Sequence, residues 1–162
     1  MIISQQGIDL IKHYESCSLT SYYDSCGKCY TLGYGHTGHD VYENQTITQD
    51  DANQLLIDDL KSFENMLNDR LNVDLEQNQF DALMSFLFNI GPGVTGVKDG
   101  LFHLKNGNPS TLWKMIQSSD FIGAKQQFLL WNRAGGQVFR GLTYRRQSES
   151  LLFSTGELKF FN

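Results

Sequence analysis

Between Glu15 and His39 the chain shows no helical period, and this interval constrains what the remainder can build. Before it, Ile8, Leu10, Ile11 and Tyr14 recur at helix-like spacing behind Ser4, so a short helix is expected with Ser4 as its N-cap and Glu15 at its C-terminal end. Then Leu19, Ser21 and Tyr23 alternate with Thr20 and Tyr22, a glycine-containing turn follows, and Tyr30 to His36 forms a second run. Alternation of period two on either side of a turn predicts a small β-hairpin or meander. Gly27, Gly33, Gly35 and Gly38 punctuate it, as suits a backbone passing close to a ligand.

Beyond Thr48 the pattern becomes helical. Thr48-Gln-Asp-Asp51 is a cap signature, and Ala52, Leu55, Leu56, Leu60, Phe63, Leu67 and Leu71 predict one long helix over 49–71. A second apolar helix is expected over 76–90, ending at Gly91-Pro92-Gly93. Shorter helices are expected over 97–105, 110–118, 121–131 and 142–154. No repeat, low-complexity tract or linker interrupts them. The expected architecture is α+β: one domain over 1–162, with a β-containing N-terminal lobe (1–48), a connecting helix (49–71) and a helical lobe (72–162). A cleft between lobes is where a ligand site is expected.

Composition narrows the partners. The net charge of −5 comes with six basic side chains against two acidic ones in residues 121–162 (net +4), which leaves −9 in residues 1–120. An acidic total argues against nonspecific nucleic-acid binding, which depends on neutralising phosphates. The basic C-terminal end suits an anionic polymer such as a bacterial cell wall, or a solvated helix face with no partner. No apolar run approaches the ~18 residues of a membrane span. The N-terminus lacks a basic start and apolar core, so the chain is expected to stay where it is made. Cys17, Cys26 and Cys29 are an odd set without zinc spacing, and are read as reduced structural thiols. A redox role for Cys26-Gly-Lys-Cys29 is disfavoured because the motif falls in a turn and not at a helix start. Neither a metal nor another cofactor is expected, and nothing suggests a large leftover apolar face, so a monomer is the expectation.

Three residues of the first segment carry candidate chemistry. Glu15 ends a helix facing the lobe junction, where poorly solvated surroundings would keep a carboxyl protonated as a general acid. Asp24 would stay ionised, stabilising positive charge or orienting a water. Thr31 could hold that water by a hydrogen bond. Taken singly, each has a plainer reading: an exposed helix-terminal Glu, a turn-capping Asp and a strand Thr chosen for β-propensity. Two carboxyl groups at a controlled separation are what glycoside hydrolysis requires.

In order, E-x8-D followed by the segment TLGYGHT resembles the catalytic segment of the phage-type lysozymes, glycoside hydrolase family 24. NQFDALMSFLFNIGPG (78–93) is similar to the family's apolar helix, and FLLWNRAGGQVFRGLTYRRQSESLLF (128–153) to its C-terminal close. The resemblance implies a lysozyme-like fold and a cofactor-free muramidase that cuts the β-1,4 link between N-acetylmuramic acid and N-acetylglucosamine in peptidoglycan. It implies Glu15 as proton donor, Asp24 as second carboxylate and Thr31 as the water-positioning hydroxyl. Gly35, His36, Phe88 and Asn89 are the expected substrate contacts. His36 is also read as a support that hydrogen-bonds across the lobe, and Phe88 equally as core. Arg145 and Arg146 could face peptide carboxylates of the wall, although an Arg146–Glu149 pair at i,i+3 is the plainer reading. The family usually places Thr six residues after Asp; here Thr31 comes seven after Asp24, and the extra residue is expected at the hairpin tip. The resemblance further implies an endolysin held in the host cytoplasm until a holin opens the membrane, with no anchor of its own. A lytic transglycosylase, a silent wall-binding module and redox control through the cysteines are the competing readings.

Overall fold

A computed structural model describes residues 1–25 and 27–162; the expectations for Cys26 lie outside these. The chain opens with α1 (Gln5–Tyr14), then strands β1 (Ser18–Asp24), β2 (Cys29–Gly33) and β3 (His36–Thr37). They form an antiparallel sheet in the order β1-β2-β3, the meander read from the alternation. The ladder is regular through Tyr22↔Thr31, Tyr23↔Tyr30 and Asp24↔Cys29, and its irregularity lies between Ser18 and Tyr22. The extra residue between Asp24 and Thr31 therefore leaves the pairing of the two strands intact up to the turn. The outer edge of β1 is covered by the following loop, through Ser21 N to Gln45 O (2.8 Å) and Ile47 N to Leu19 O (3.0 Å).

α2 (Gln49–Asn68) is a helix of 20 residues, about 30 Å long at 1.5 Å per residue. Thr48 and Asp51 form the expected capping box: Thr48 Oγ1 accepts from Asp51 N, and Thr48 N donates to Asp51 Oδ2 (3.0 Å). α2 touches β2 and β3 on one side and α3 (Gln77–Ile90) on the other, so it joins the sheet to the helical part. α3 is the centre of the molecule; every residue from Phe80 to Leu87 is buried. α1 and α6 (Arg140–Thr155) pack on it. α4 (Thr111–Gln117) and α5 (Phe121–Phe128) close the remaining face.

Three expectations need correction. Ser4 occupies the N-cap of α1 without capping it. Its hydroxyl donates to Asp81 Oδ2 instead, and its amide to Asp81 Oδ1 (2.8 Å), because buried Asp81 needs donors more than the exposed helix start does. No helix forms over 97–105. There Leu101 N bonds Gly91 O (2.9 Å), Phe102 N bonds Pro92 O (3.0 Å) and Leu104 N bonds Asn108 O (2.8 Å), so the backbone donors leave the i−4 pattern. Leu101 and Phe102 insert side by side into the core. Finally, residues past Phe128 are not helical: a short exposed hairpin, β4 (Arg133–Ala134) with β5 (Gln137–Val138), turns through Gly135 and Gly136 before α6.

Candidate functional site

Where α1 ends, the sheet and helices α2 and α3 leave a cleft of about 390 Å³, lined by Glu15, Tyr34, Gly35, Thr37, Asp59, Ser62, Phe63, Phe88 and Asn89. Glu15 is delivered by the end of α1: its extended backbone (φ −97°, ψ 137°) stops the helix, while its amide still bonds Ile11 O (3.0 Å). Tyr14 anchors that end. Its hydroxyl lies 2.7 Å from Ser148 Oγ, donates toward Tyr144 O (3.2 Å) and accepts from Phe161 N (3.1 Å). Gly35 sits at φ +97°, a left-handed conformation that a β-carbon disfavours, and it brings bare backbone to the cleft wall.

Of the expected catalytic residues Glu15 lines this cleft and Asp24 and Thr31 do not; the sheet region reaches it through Tyr34, Gly35 and Thr37. Thr31 is paired with Thr37 across β2 and β3, and paired residues share a face, so Thr31 stands on the side of cleft-lining Thr37. Asp24, two residues from Tyr22, which pairs with Thr31, lies on the same face by alternation. Asp24 is half-buried at the end of β1. Thr31 is buried, and its Oγ1 has no hydrogen-bond partner among the described residues. A buried hydroxyl without a partner is costly, and such groups commonly hold an ordered water.

The surroundings of Glu15 differ from the sequence expectation. Instead of an apolar pocket, Arg145 Nη1 lies 2.5 Å from Glu15 Oε1, and the carboxyl side chain is about one quarter exposed (25%). Arg145 is itself buried and held by Ser85 O through Nη2 (3.1 Å) and by Glu149 Oε1 through Nε (3.2 Å). Glu149 Oε1 also accepts from Ser85 Oγ (2.7 Å) and from Arg146 Nη2 (2.8 Å). The Arg146–Glu149 pair at i,i+3 is therefore formed, and neither arginine faces the wall from the surface. Burial pulls the Arg146 guanidinium down to about 10, against the opposing pull of Glu149. Arg146 stays charged at neutral pH.

Of the expected substrate contacts, Gly35, Phe88 and Asn89 line the cleft. Phe88 also packs on Phe63, with ring centroids 5.4 Å apart, so its core and cleft readings both apply. His36 lies outside the cleft lining, in a neighbouring pocket with Asp40, Asp51 and Gln54. Its Nδ1 is 2.9 Å from Asp59 Oδ1 on α2 and its Nε2 is 3.1 Å from Asp40 Oδ2. Burial opposes the imidazolium, but the hydrogen bonds to Asp40 and Asp59 outweigh it and raise the His36 pKa above its ordinary value. The geometry is that of a support joining sheet to α2.

Sequence reasoning missed Tyr34, Thr37, Asp59, Ser62 and Phe63 as cleft residues, and Arg145 as the partner of Glu15. Asp59, Ser62 and Phe63 share one face of α2 at i, i+3 and i+4, a signal present in the sequence but ambiguous without knowing which face meets the cleft. Cys17 is exposed and Cys29 half-buried, both as free thiols. Among the described residues no group of His, Cys, Asp and Glu could hold a metal ion.

The sequence profile described as Phage lysozyme matches residues 12–149. An endolysin of Bacillus phage B103 is 42% identical over 160 residues, covering 98% of this chain and 56% of the relative. An endolysin of Acyrthosiphon pisum secondary endosymbiont phage 1 is 37% identical over 159 residues, covering 96% of this chain and 99% of the relative. The solved endolysin from Escherichia coli O157:H7 phage FAHEc1 superposes with a TM-score of 0.77 at 30% identity, covering 98% of this chain and 97% of the other. The chain thus has a lysozyme-like α+β fold. It spans only about half the length (56% and 57%) of the two Bacillus phage relatives it matches.

Proposed function

The chain belongs to the phage lysozyme family, and on that premise we propose that it is an endolysin with muramidase activity. It hydrolyses the β-1,4 bond between N-acetylmuramic acid and N-acetylglucosamine in bacterial peptidoglycan. The observation that carries this reading is the placement of Glu15: a carboxyl at the end of a helix, lining a cleft of about 390 Å³, its oxygen aimed by a buried arginine.

In this mechanism Glu15 protonates the glycosidic oxygen while a water attacks the opposite face of the sugar. Asp24 and Thr31 place that water, a role supported by their common face of the sheet and by the buried Thr31 Oγ1, which has no partner among the described residues. The outcome is inversion, for which paired carboxyls stand roughly 6.5–9.5 Å apart to leave room for the water. Phe88 and Asn89 contact the glycan from the α3 side and Gly35 from the sheet side. The enzyme works as a monomer on the wall, after release from the host cytoplasm through a holin-made opening. Among the described residues no helix is long and apolar enough to cross a membrane.

The test is mass spectrometry of purified peptidoglycan digested by the wild type and by Glu15→Gln. Muropeptides with hydrated reducing ends, reduced at least ~10²-fold in the variant, are the expected result, since general-acid help is worth that much or more. Products one water lighter, ending in 1,6-anhydro sugars, would make the enzyme a transglycosylase. Fragments from neither protein, both folded, would leave only a wall-binding module. NMR of the freshly formed reducing end checks inversion: the α-anomer must appear first.

A further inference from the structure

Asn89 is connected to the buried charges of α6 in a way that determines its chemistry. Arg146 Nη2 lies 3.0 Å from Asn89 Oδ1, and a guanidinium has donors only, so the amide must turn its oxygen toward Arg146. Its Nδ2 makes no hydrogen bond among the described residues, and Asn89 lines both the cleft and the neighbouring groove that contains Tyr14, Phe139 and Leu142. Arg146 cannot swing away to release that orientation. It is fully buried, its guanidinium lies over the Phe86 ring (4.7 Å to the centroid), and Nη2 is shared with Glu149 Oε1 at 2.8 Å. Its Nε faces Glu149 Oε2 at 2.8 Å.

We propose that Arg146, fixed by Glu149, is a positioning residue that locks Asn89 as a pure hydrogen-bond donor to the cleft, selecting glycan units that present an acetamido carbonyl. The inference rests on the muramidase reading and deepens it. Sugar hydroxyls both donate and accept, so they would not distinguish the two ends of an amide; an acetamido carbonyl only accepts. Replacing that group with a free amine puts an ammonium donor opposite the Asn89 donor. A site built to hydrogen-bond a substrate group discriminates against an analogue that leaves its own polar atom unpaired. The same cluster therefore serves two cleft residues: through Arg145 it aims Glu15, and through Arg146 it orients Asn89.

The experiment compares kcat/KM on N-acetylated peptidoglycan and on the same material de-N-acetylated, for the wild type, Asn89→Asp and Arg146→Lys. Aspartate keeps the size of Asn89 and can still accept from Arg146, but it offers the cleft an acceptor. The wild type should favour the N-acetylated wall by about tenfold, the scale of one neutral hydrogen bond gained or lost. Asn89→Asp should bring the ratio near one or below, chiefly through KM. Arg146→Lys should also flatten it, because a point-charge ammonium does not bridge Glu149 and Asn89 as the planar fork does. An unchanged ratio in Asn89→Asp would overturn the proposal. That variant leaves the buried cluster whole, so it decides the matter even where Arg146→Lys does not fold. A wild type that releases no hydrated reducing ends from either wall would remove the muramidase reading itself, whereas normal cleavage with no preference removes only the orienting role.

Discussion

Thr31 and His36 separate roles that residue type alone leaves mixed. Thr31 carries a buried hydroxyl with no partner among the described residues, so it does little for the fold as a hydroxyl. Thr31→Val keeps the shape and removes an unsatisfied polar atom, so urea unfolding should show stability unchanged or slightly raised. Wall digestion should fall by at least ~10-fold if the hydroxyl places the water. A fall in stability of ~2 kcal/mol would instead mark Thr31 as structural. His36 behaves in the opposite way. Its folded pKa is raised above the ordinary 6.5, so its contribution to stability is complete below that value and is lost as pH rises through the folded pKa. Asp40 is lowered from 3.8, first by its hydrogen bond to His36, so its contribution holds above that value and is lost in acid. Melting temperature should therefore decline from pH 6 toward pH 8 in the wild type. His36→Asn should flatten that decline, and an unchanged slope would show that another group causes it.

Among the elements, the loop after α3 shows why the helix expected over 97–105 does not form. Leu101 and Phe102 supply buried apolar side chains at adjacent positions, while Gly93 and Gly100 let two backbone segments cross in near contact. A β-carbon added to Gly100 would overlap the backbone nitrogen of Gly93, a neighbour that cannot rotate aside. Gly100→Ala should thus destabilise by at least ~2 kcal/mol in urea, although alanine favours a helix; a stabilised variant would mean that the segment is helical after all. By contrast α2 follows its sequence closely, starting at the expected capping box and ending at Asn68 instead of residue 71, because the box and the stripe of Ala52, Leu56, Leu60 and Leu67 are local features pointing to one answer. The β4–β5 hairpin was hidden because Trp131 and Phe128 continue an apolar pattern past the end of α5.

Across the whole molecule, α6 is seated on α3 through charge as much as apolar contact. Glu149 is fully buried and faces both Arg145 and Arg146 beneath the cleft. Glu149→Leu would leave Arg146 without a counter-ion in the interior, and removing one partner of a buried pair typically costs ~3–5 kcal/mol. Denaturant unfolding should record a loss of that size, with reduced wall digestion even under conditions where the variant is folded, because Arg145 loses one of the groups that aim it at Glu15. Full activity in the folded variant would detach the cluster from the site.

The sequence by itself determined the α+β arrangement, the meander, the long second helix and the common sheet face of Asp24 and Thr31, because period, caps and turn glycines act over a few neighbours. Only the tertiary structure decided that Glu15 meets Arg145 across 130 positions, that Arg146 takes the oxygen of Asn89 across 57, and that His36 bonds Asp59 of α2 from outside the cleft lining. These partners are set by how α6 and α2 dock on α3 and the sheet, and a charge has no local pattern that announces which distant charge it will be buried against.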